Sequence, residues 1–415
     1  MPMGPSRERR AGLLGPCLVA TLAHAGLVAV ALASPMAFGY GKKMDIFDDV
    51  RIYWKYATPV LEGRLPYRDY RVEYPPLAIP VFLAPLLVGT DFSTYKHAFV
   101  VEMLLVDFAA LWLLARRVEA AEGRRAAIRR LVWYSACFGS LCPLIVARFD
   151  LVPMLAGFAA ACALESGTTG LGGVLAGLGT LAKLVPGLVM IPWATGRVGI
   201  RDRLKGLTAL AATVGLGALG WWLLAGSRLI GSLRYHGERG LEIESAYATL
   251  YLVVREFGGT WVFSYIDHAS MNIAGPGTMD AAALSPLIQG ALLLLVARRA
   301  HDADPGKGMR LSLAAILAYV IAGKVLSPQY LIWMIPFACG LGGKTGSIVR
   351  PWFLACCVLT TAIYPHLFHA LSHFEKLPVA VLALRNAGLV GLFVIVMRRD
   401  SDGSPFRRAA RLEQL

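Results

Sequence analysis

The chain has 415 residues, 56 % of them apolar and only 16 % charged, with a mean hydropathy of +0.57. A soluble protein of this size carries about a quarter charged residues, so a soluble globular fold is excluded. The formal net charge of +14 would suit nucleic acid. Its distribution argues against that partner. Six segments (1–10, 116–130, 196–205, 298–310, 343–350 and 398–415) hold 24 of the 41 Lys and Arg and 9 of the 27 acids, a net of +15, and the remainder nets −1. Basic loops between apolar runs are the positive-inside pattern, and anionic lipid headgroups are their partner.

Apolar runs recur from residue 11 to residue 397, long and without alternation. They predict an all-α, polytopic integral membrane protein forming a single transmembrane domain over 1–415, with a cytoplasmic tail at 398–415. The first run follows "RERR". It is too long for a signal-peptide core and lacks a small-residue cleavage site, so it reads as a spanning helix. All seven cysteines sit in apolar runs without metal spacing and read as small hydrophobes.

With every basic segment on the cytoplasmic side, both termini are inside and the crossings between segments are constrained. One crossing, 94–115, fits between Asp49 and Arg116. The stretch "YPPLAIPVFLAPLLVG" (74–89) then lies on or dips into the outer face. Between 131 and 195, and between 311 and 342, crossings must pair. This predicts reversals at "AKLVP" and "GKVLSPQY", where Lys183 with Pro186 and Lys324 with Pro328 interrupt a helix. The half-runs are shorter than the ~20 residues a bilayer needs and make sense beside a water-filled cavity. The total comes to roughly 10–12 crossings or half-crossings. No internal repeat or soluble domain is visible.

The two long outer loops, about 39–91 and 226–280, collect the unusual polar stretches. In the first, "DDVRIYWKYATPVLEG" has Val50, Tyr53, Trp54 and Ala57 at helical spacing and predicts an interfacial amphipathic helix. Asp48 and Asp49 open it, as helix caps or as a catalytic base. The same loop carries "EYPP", with Glu73 and Tyr74. "ARFD" adds Arg148 and Asp150, an internal ion pair or part of a site. Lys183 and Lys324 lie far from the basic rim, where an ionisable residue is a functional candidate. The second loop, "RYHGERGLEIES", offers His236, Glu238, Arg239, Glu242, Glu244 and Ser245. Several cations near one carboxylate suit an anionic, phosphate-bearing ligand at the outer membrane face. No P-loop, dinucleotide fingerprint, G-x-S-x-G, HExxH or His/Cys cluster is present, so neither a cofactor nor a tightly held metal is expected. Glu102 and Asp107, inside a predicted span, serve either an ion relay or helix–helix contact.

In order, "D-x-x-I-Y" (49–53), "EGRLPYRDYRVEYPPL" (62–77), "RFD" (148–150), "AKLVPGLVMIP" (182–192), "RGLEIES" (239–245) and "GKVLSPQYLIWMIP" (323–336) resemble glycosyltransferase family 87. The likeness runs from about residue 45 to 340. It implies the GT-C fold and a mannosyltransferase of the cytoplasmic membrane that takes its sugar from a polyprenyl-phosphate donor at the outer face. A glycolipid or glycan would accept the sugar with inversion. Asp49 matches the family's general-base position, with Asp48 as the fallback. Some members carry histidines where this chain has Gln329 and Tyr330. Two alternatives are a transporter or flippase of lipid-linked saccharides, and a related enzyme using another lipid-phosphate sugar. The flippase would be expected to show matching broken helices in two halves. Between the two aspartates, Asp48 reads as the cap and Asp49 as the base.

Overall fold

The computed structural model describes residues 7–40, 45–229, 231, 237–303 and 305–398. His236 and all but the first residue of the 398–415 tail lie outside the described residues. Helical rods run between two ends of the molecule: Arg7–Ala33, Phe92–Glu122, Arg124–Leu141, Leu151–Glu165, Thr169–Ala182, Ile200–Ala225, Thr278–His301, Gly308–Ile321, Gly343–Thr361 and Lys376–Met397, with broken rods over 185–195 and 328–340. Among the described residues, six helices are long and apolar enough to cross a membrane: Gly12–Ala33, Phe92–Glu122, Ile200–Leu229, Thr278–His301, Gly343–Ser372 and Lys376–Met397. The protein is a multi-pass membrane protein.

At one end of the rods the basic loops gather. There the Glu165 carboxylate accepts the Met309 amide at 3.0 Å and pairs with Arg117 at 2.9 Å, and Arg117 donates to the Gly340 carbonyl at 2.9 Å. Arg299 donates to the Met397 carbonyl at 3.2 Å, and Arg130 pairs with Glu122 at 2.8 Å. These contacts establish the first predicted reversal. Gly308–Ile321 begins, and Ile335–Gly340 ends, at the same Glu165–Arg117 pair, so the chain turns back between them at Lys324 and Pro328.

The second reversal, at Lys183 and Pro186, follows from glycine packing. A Cβ on Gly206 would meet both the Trp193 ring and the Thr169 carbonyl, so the chain leaves at 169 and returns to the same level by 193. A Cβ on Gly173 would stand 2.2 Å from the Gly206 carbonyl. Thr169–Ala182 and Ile200–Ala225 therefore touch backbone to backbone, the small-residue contact by which membrane helices associate without a hydrophobic drive. The short rods, at 1.5 Å per residue, cannot span a ~30 Å core alone. Leu151–Glu165 and Gly308–Ile321 have extensively buried sequences, which removes them from direct lipid contact.

Asp107 resolves into a helix–helix contact. His24 Nδ1 lies 2.7 Å from its Oδ2, the Tyr134 hydroxyl donates to its Oδ1 at 2.9 Å, and His24 Nε2 reaches Ser135 at 2.9 Å. Three rods are tied through this one carboxylate. Asp107→Ala leaves the imidazole and phenol buried without their acceptor, and a loss of roughly 1–3 kcal/mol is expected. Thermal unfolding of the purified variant against wild type in one detergent measures it, and an unchanged Tm would remove the tie. Glu102, on the same helix, contributes nothing to this cluster, and its Oε2 finds no partner among the described residues.

At the other end, two excursions fold over the bundle. Asp48–Leu61 is the predicted amphipathic helix, burying Val50, Tyr53 and Ala57. Tyr53 stacks on Phe82 at 4.3 Å, from the short helix Ala78–Leu83. The Leu77 amide donates to the Leu181 carbonyl at 2.9 Å, which places the 74–89 stretch at the level where Thr169–Ala182 ends.

The second excursion adds a small feature to the helical fold that the sequence reading did not anticipate. Strands β1 (Leu241–Glu242), β2 (Phe263–Asp267) and β3 (Ser270–Ala274) form an antiparallel sheet in the order β1-β3-β2. The β2–β3 turn places His268 (φ 50°) and Ala269 (φ 51°) in the left-handed region. Two-residue hairpin loops favour this conformation because it matches strand twist. Lacking the usual Asn-Gly pair, the turn gave no sequence signal.

Candidate active site

A cavity of about 750 Å³ opens at the end opposite the basic loops. Both excursions and both reversals contribute to it. Asp48, Asp49, Glu73 and Tyr74 come from the first excursion, Arg239, Glu242, Glu244 and His268 from the second, Arg148 and Lys183 from the first pair of breaks, and Lys324, Gln329 and Tyr330 from the last.

The structure corrects two pairings expected from the sequence. Asp48 is not a cap. The helix is preceded by Phe47, no side chain caps it, and the Asp48 carboxylate instead accepts the Asp45 amide at 3.3 Å. Both aspartates occupy the first turn, where the helix dipole favours negative charge. Arg148 and Asp150 do not pair with each other. Arg148 reaches Asp49 at 2.5 Å, and Asp150 holds Lys183 at 2.6 Å. The reason is the turn itself: Asp150 enters the buried interior (1 % exposed) while Arg148 swings toward the first excursion.

Asp49 keeps a 26 % exposed side chain on the cavity although its partner Arg148 is only 9 % exposed. Burial by the surrounding walls pushes the Asp49 pKa above the ordinary carboxylate value, and the Arg148 guanidinium opposes that rise. One oxygen, Oδ2, holds Arg148, and among the described residues no other ion pair reaches the carboxylate. Tyr53 packs one turn below, 1 % exposed, so it supports the helix and does not reach the cavity.

Lys183 sits where Thr169–Ala182 ends and the backbone becomes extended. Asp150 Oδ1 accepts from it and from Trp333 Nε1 at 2.7 Å. Its ammonium lies 5.0 Å from the Phe149 ring centroid, 5.1 Å from Trp333 and 5.8 Å from Tyr330. Aromatic faces of this kind hold a cation through their quadrupole. Tyr330 stacks on Trp333 at 4.1 Å, which fixes this end of the wall.

Glu242, one of the acids the second loop offered, organises the other end. Its carboxylate accepts the Leu326 amide at 2.6 Å, the Ser327 hydroxyl at 3.0 Å and the Ser270 hydroxyl at 3.3 Å, and lies 3.7 Å from Arg239. Its own amide donates to the Lys324 carbonyl at 3.0 Å. One side chain therefore joins β1, the hairpin and the Lys324 break. Lys324 Nζ donates to the Gly237 carbonyl at 2.7 Å. Burial, and after it the Arg239 charge, push its pKa down. Arg239 and Lys324 thus line the same cavity as two cations of the kind that grip a phosphate.

Ser245 does not line the cavity. It caps Ala246–Glu256, accepting the Ala248 amide at 3.1 Å. Glu244 lines the cavity with one face and meets the fully buried Arg385 at 3.2 Å with the other. Tyr364 and Phe368 complete the wall.

The family model described as glycosyltransferase family 87 matches residues 73–328, more than half of the chain. The chain belongs to glycosyltransferase family 87. It is accordingly a membrane glycosyltransferase. No curated protein matches it. Among solved structures it is similar to the crystal structure of ArnT from Cupriavidus metallidurans in the apo state, at 14 % identity, over 90 % of this chain and 77 % of that chain, with a TM-score of 0.45. The family 87 match includes Arg148, Lys183, Arg239, Glu242 and Lys324 but begins after Asp48 and Asp49. The role of the first-turn aspartates therefore rests on where they sit.

Proposed function

We propose that this family 87 enzyme transfers a hexose, most favourably mannose, from a polyprenyl-phosphate donor to a lipid-linked or glycan acceptor. Residues 1–415 act as one domain, with both termini cytoplasmic and the cavity on the outer face of the cytoplasmic membrane. Asp49 is the general base on the acceptor hydroxyl, and Asp48 is the neighbouring second carboxylate. The observation that carries the reading is the Asp49 carboxylate, braced by Arg148 and open to a cavity that Arg239 and Lys324 also line.

The chemistry follows from that division. A lipid phosphate leaves as a stable anion, so it needs cations that stabilise developing charge and no strong general acid. Arg239 and Lys324 supply them, with Glu242 fixing the segment that carries Lys324. The acceptor hydroxyl must lose a proton as its oxygen attacks the anomeric carbon, and Asp49 takes it. The C–O bond to phosphate breaks as the new glycosidic bond forms, which inverts the anomeric centre. Lys183, already matched by Asp150, shapes the wall beside Tyr330 and Gln329, where the sugar and acceptor are read.

The test is transfer by purified enzyme from radiolabelled polyprenyl-phosphate mannose to a panel of membrane glycolipids, with glucosyl and arabinofuranosyl lipid phosphates in parallel. Absence of mannosyl transfer alongside transfer from another donor would replace mannose in the reading. Movement of intact lipid-linked saccharide across a proteoliposome membrane without glycosidic product would favour transport. Lys324→Ala and Arg239→Ala are each expected to lower kcat/KM by about 10–100-fold, the size of one charge-assisted hydrogen bond. Steady-state kinetics at varied donor concentration measure this, and wild-type kinetics in both variants would move the phosphate elsewhere.

A further inference from the structure

The second excursion has an outer face that stands exposed among the described residues. In Ala246–Glu256, Ala248, Thr249 and Leu252 are buried, as an amphipathic helix requires. Its opposite face is apolar as well. Leu250 is 65 % exposed, Val254 47 % and, just past the end, Phe257 86 %. They recur at i, i+4 and i+7, one stripe of a helix. Trp261 (63 %) and Phe263 (53 %) extend the exposed apolar surface into β2. A helix apolar on both faces is covered by protein or by lipid.

Its depth decides between water and lipid. Asn386 donates to the Thr249 hydroxyl at 2.6 Å, and Arg385 meets Glu244 at 3.2 Å, near the start of the helix. At its far end Arg255 lies over the Phe374 ring at 5.0 Å. The helix thus runs beside the first ten or so residues of Lys376–Met397, about 15 Å of a rod long and apolar enough to cross a membrane. Leu377 and Leu384 are exposed on that rod over the same stretch, at 65 % and 62 %. Whatever surrounds them also surrounds Leu250 and Val254.

Trp261 and Phe263 are near-parallel, 9° apart in plane, with centroids 6.4 Å apart, and both rings are more than half exposed. Exposed aromatic rings beside a spanning helix belong at a lipid interface.

We propose that Ala246–Glu256 and the Trp261–Phe263 ladder are seated in the membrane lipid, as a hydrophobic arm whose protein-facing side carries Arg239, Glu242 and Glu244 into the catalytic cavity. The bilayer is therefore a structural component of the cavity wall: it holds the arm from outside while the Glu244–Arg385 and Asn386 contacts hold it from inside. This extends the site described above, but its test needs no transfer assay and so stands or falls apart from the choice of donor.

The experiment uses the full chain in lipid nanodiscs, which leave both membrane faces open to reagent. Leu250→Cys, Val254→Cys and Phe257→Cys are labelled with a membrane-impermeant maleimide, with Asp267→Cys at the hairpin tip as the solvent control and wild type as the background. The three arm positions are expected to react at least tenfold more slowly than Asp267→Cys in nanodiscs, in keeping with their burial in hydrocarbon, and to gain reactivity in short-chain detergent. Independently, brominated lipids should quench a component of wild-type tryptophan fluorescence that Trp261→Phe lacks. Labelling of the arm as fast as the control in nanodiscs overturns the proposal. So does slow labelling that appears only after a glycan acceptor is added, because the cover would then be the glycan.

Discussion

Asp49→Asn is expected to reduce sugar transfer by ~10²–10⁴-fold, the usual worth of a positioned general base, while donor binding persists. The amide keeps the size of the carboxylate and can still accept a hydrogen bond from Arg148, but it cannot take the acceptor's proton. Asp48→Asn is expected to retain most activity, since among the described residues its exposed carboxylate holds only the local Asp45 amide. The pH profile separates a base from a structural role. A base works only when deprotonated, so kcat/KM must fall as pH drops through its pKa. Burial raises the Asp49 pKa above the ordinary carboxylate range, and Arg148 lowers it. The acid limb in wild type should therefore lie above pH ~4, where an unperturbed aspartate would place it. Arg148→Gln removes the opposing charge and should move that limb to higher pH. An acid limb unmoved in Arg148→Gln, or full activity in Asp49→Asn, would dismiss Asp49 as the base.

The rods and reversals were legible because their causes are local or additive. Charge bias forced even crossings, and proline after lysine marked where the helix had to stop; the Glu165–Arg117 tie and the approach of Gly206 to both Thr169 and Trp193 show those turns in place. Pairing within the site was not legible. Arg148 and Asp150 are two residues apart in sequence, but the turn sends one to Asp49 and the other to Lys183, a choice made by distant segments. Glu242 could be named from its acidic loop, but its organising role could not: that comes from Leu326, Ser327 and Ser270, none near it in sequence. Asp48 and Asp49 were separable only in part. Periodicity put Tyr53 and Val50 on the buried face, but only the path of the 147–150 turn brings a guanidinium to Asp49.

The largest effect on stability is expected from Arg385→Leu, which should cost about 3–5 kcal/mol by leaving the Glu244 carboxylate buried without its counter-charge. Arg385 is fully buried, and its Nη2 donates both to the Glu244 carboxylate at 3.2 Å and to the Glu244 carbonyl at 3.1 Å. Asn386 adds a bond to the same carbonyl at 3.1 Å. Two adjacent residues of a spanning helix thus clamp Glu244, two residues past the end of β1, in the segment that also carries Arg239 and Glu242. Arg385→Leu/Glu244→Leu removes both charges, and replacing a buried pair by apolar residues is often neutral. Most of the lost stability should therefore return in the double variant, measured by thermal unfolding in one detergent. Transfer gives the second readout. If the clamp serves only to neutralise charge, the double variant recovers donor KM along with Tm. If it positions Arg239 and Lys324 for the phosphate, Tm recovers while donor KM stays raised, because leucine packing restores burial but no longer fixes the strand's register against the helix. The second outcome is the one expected, since the Glu242 bonds that hold the Lys324 break begin only two residues from the clamp.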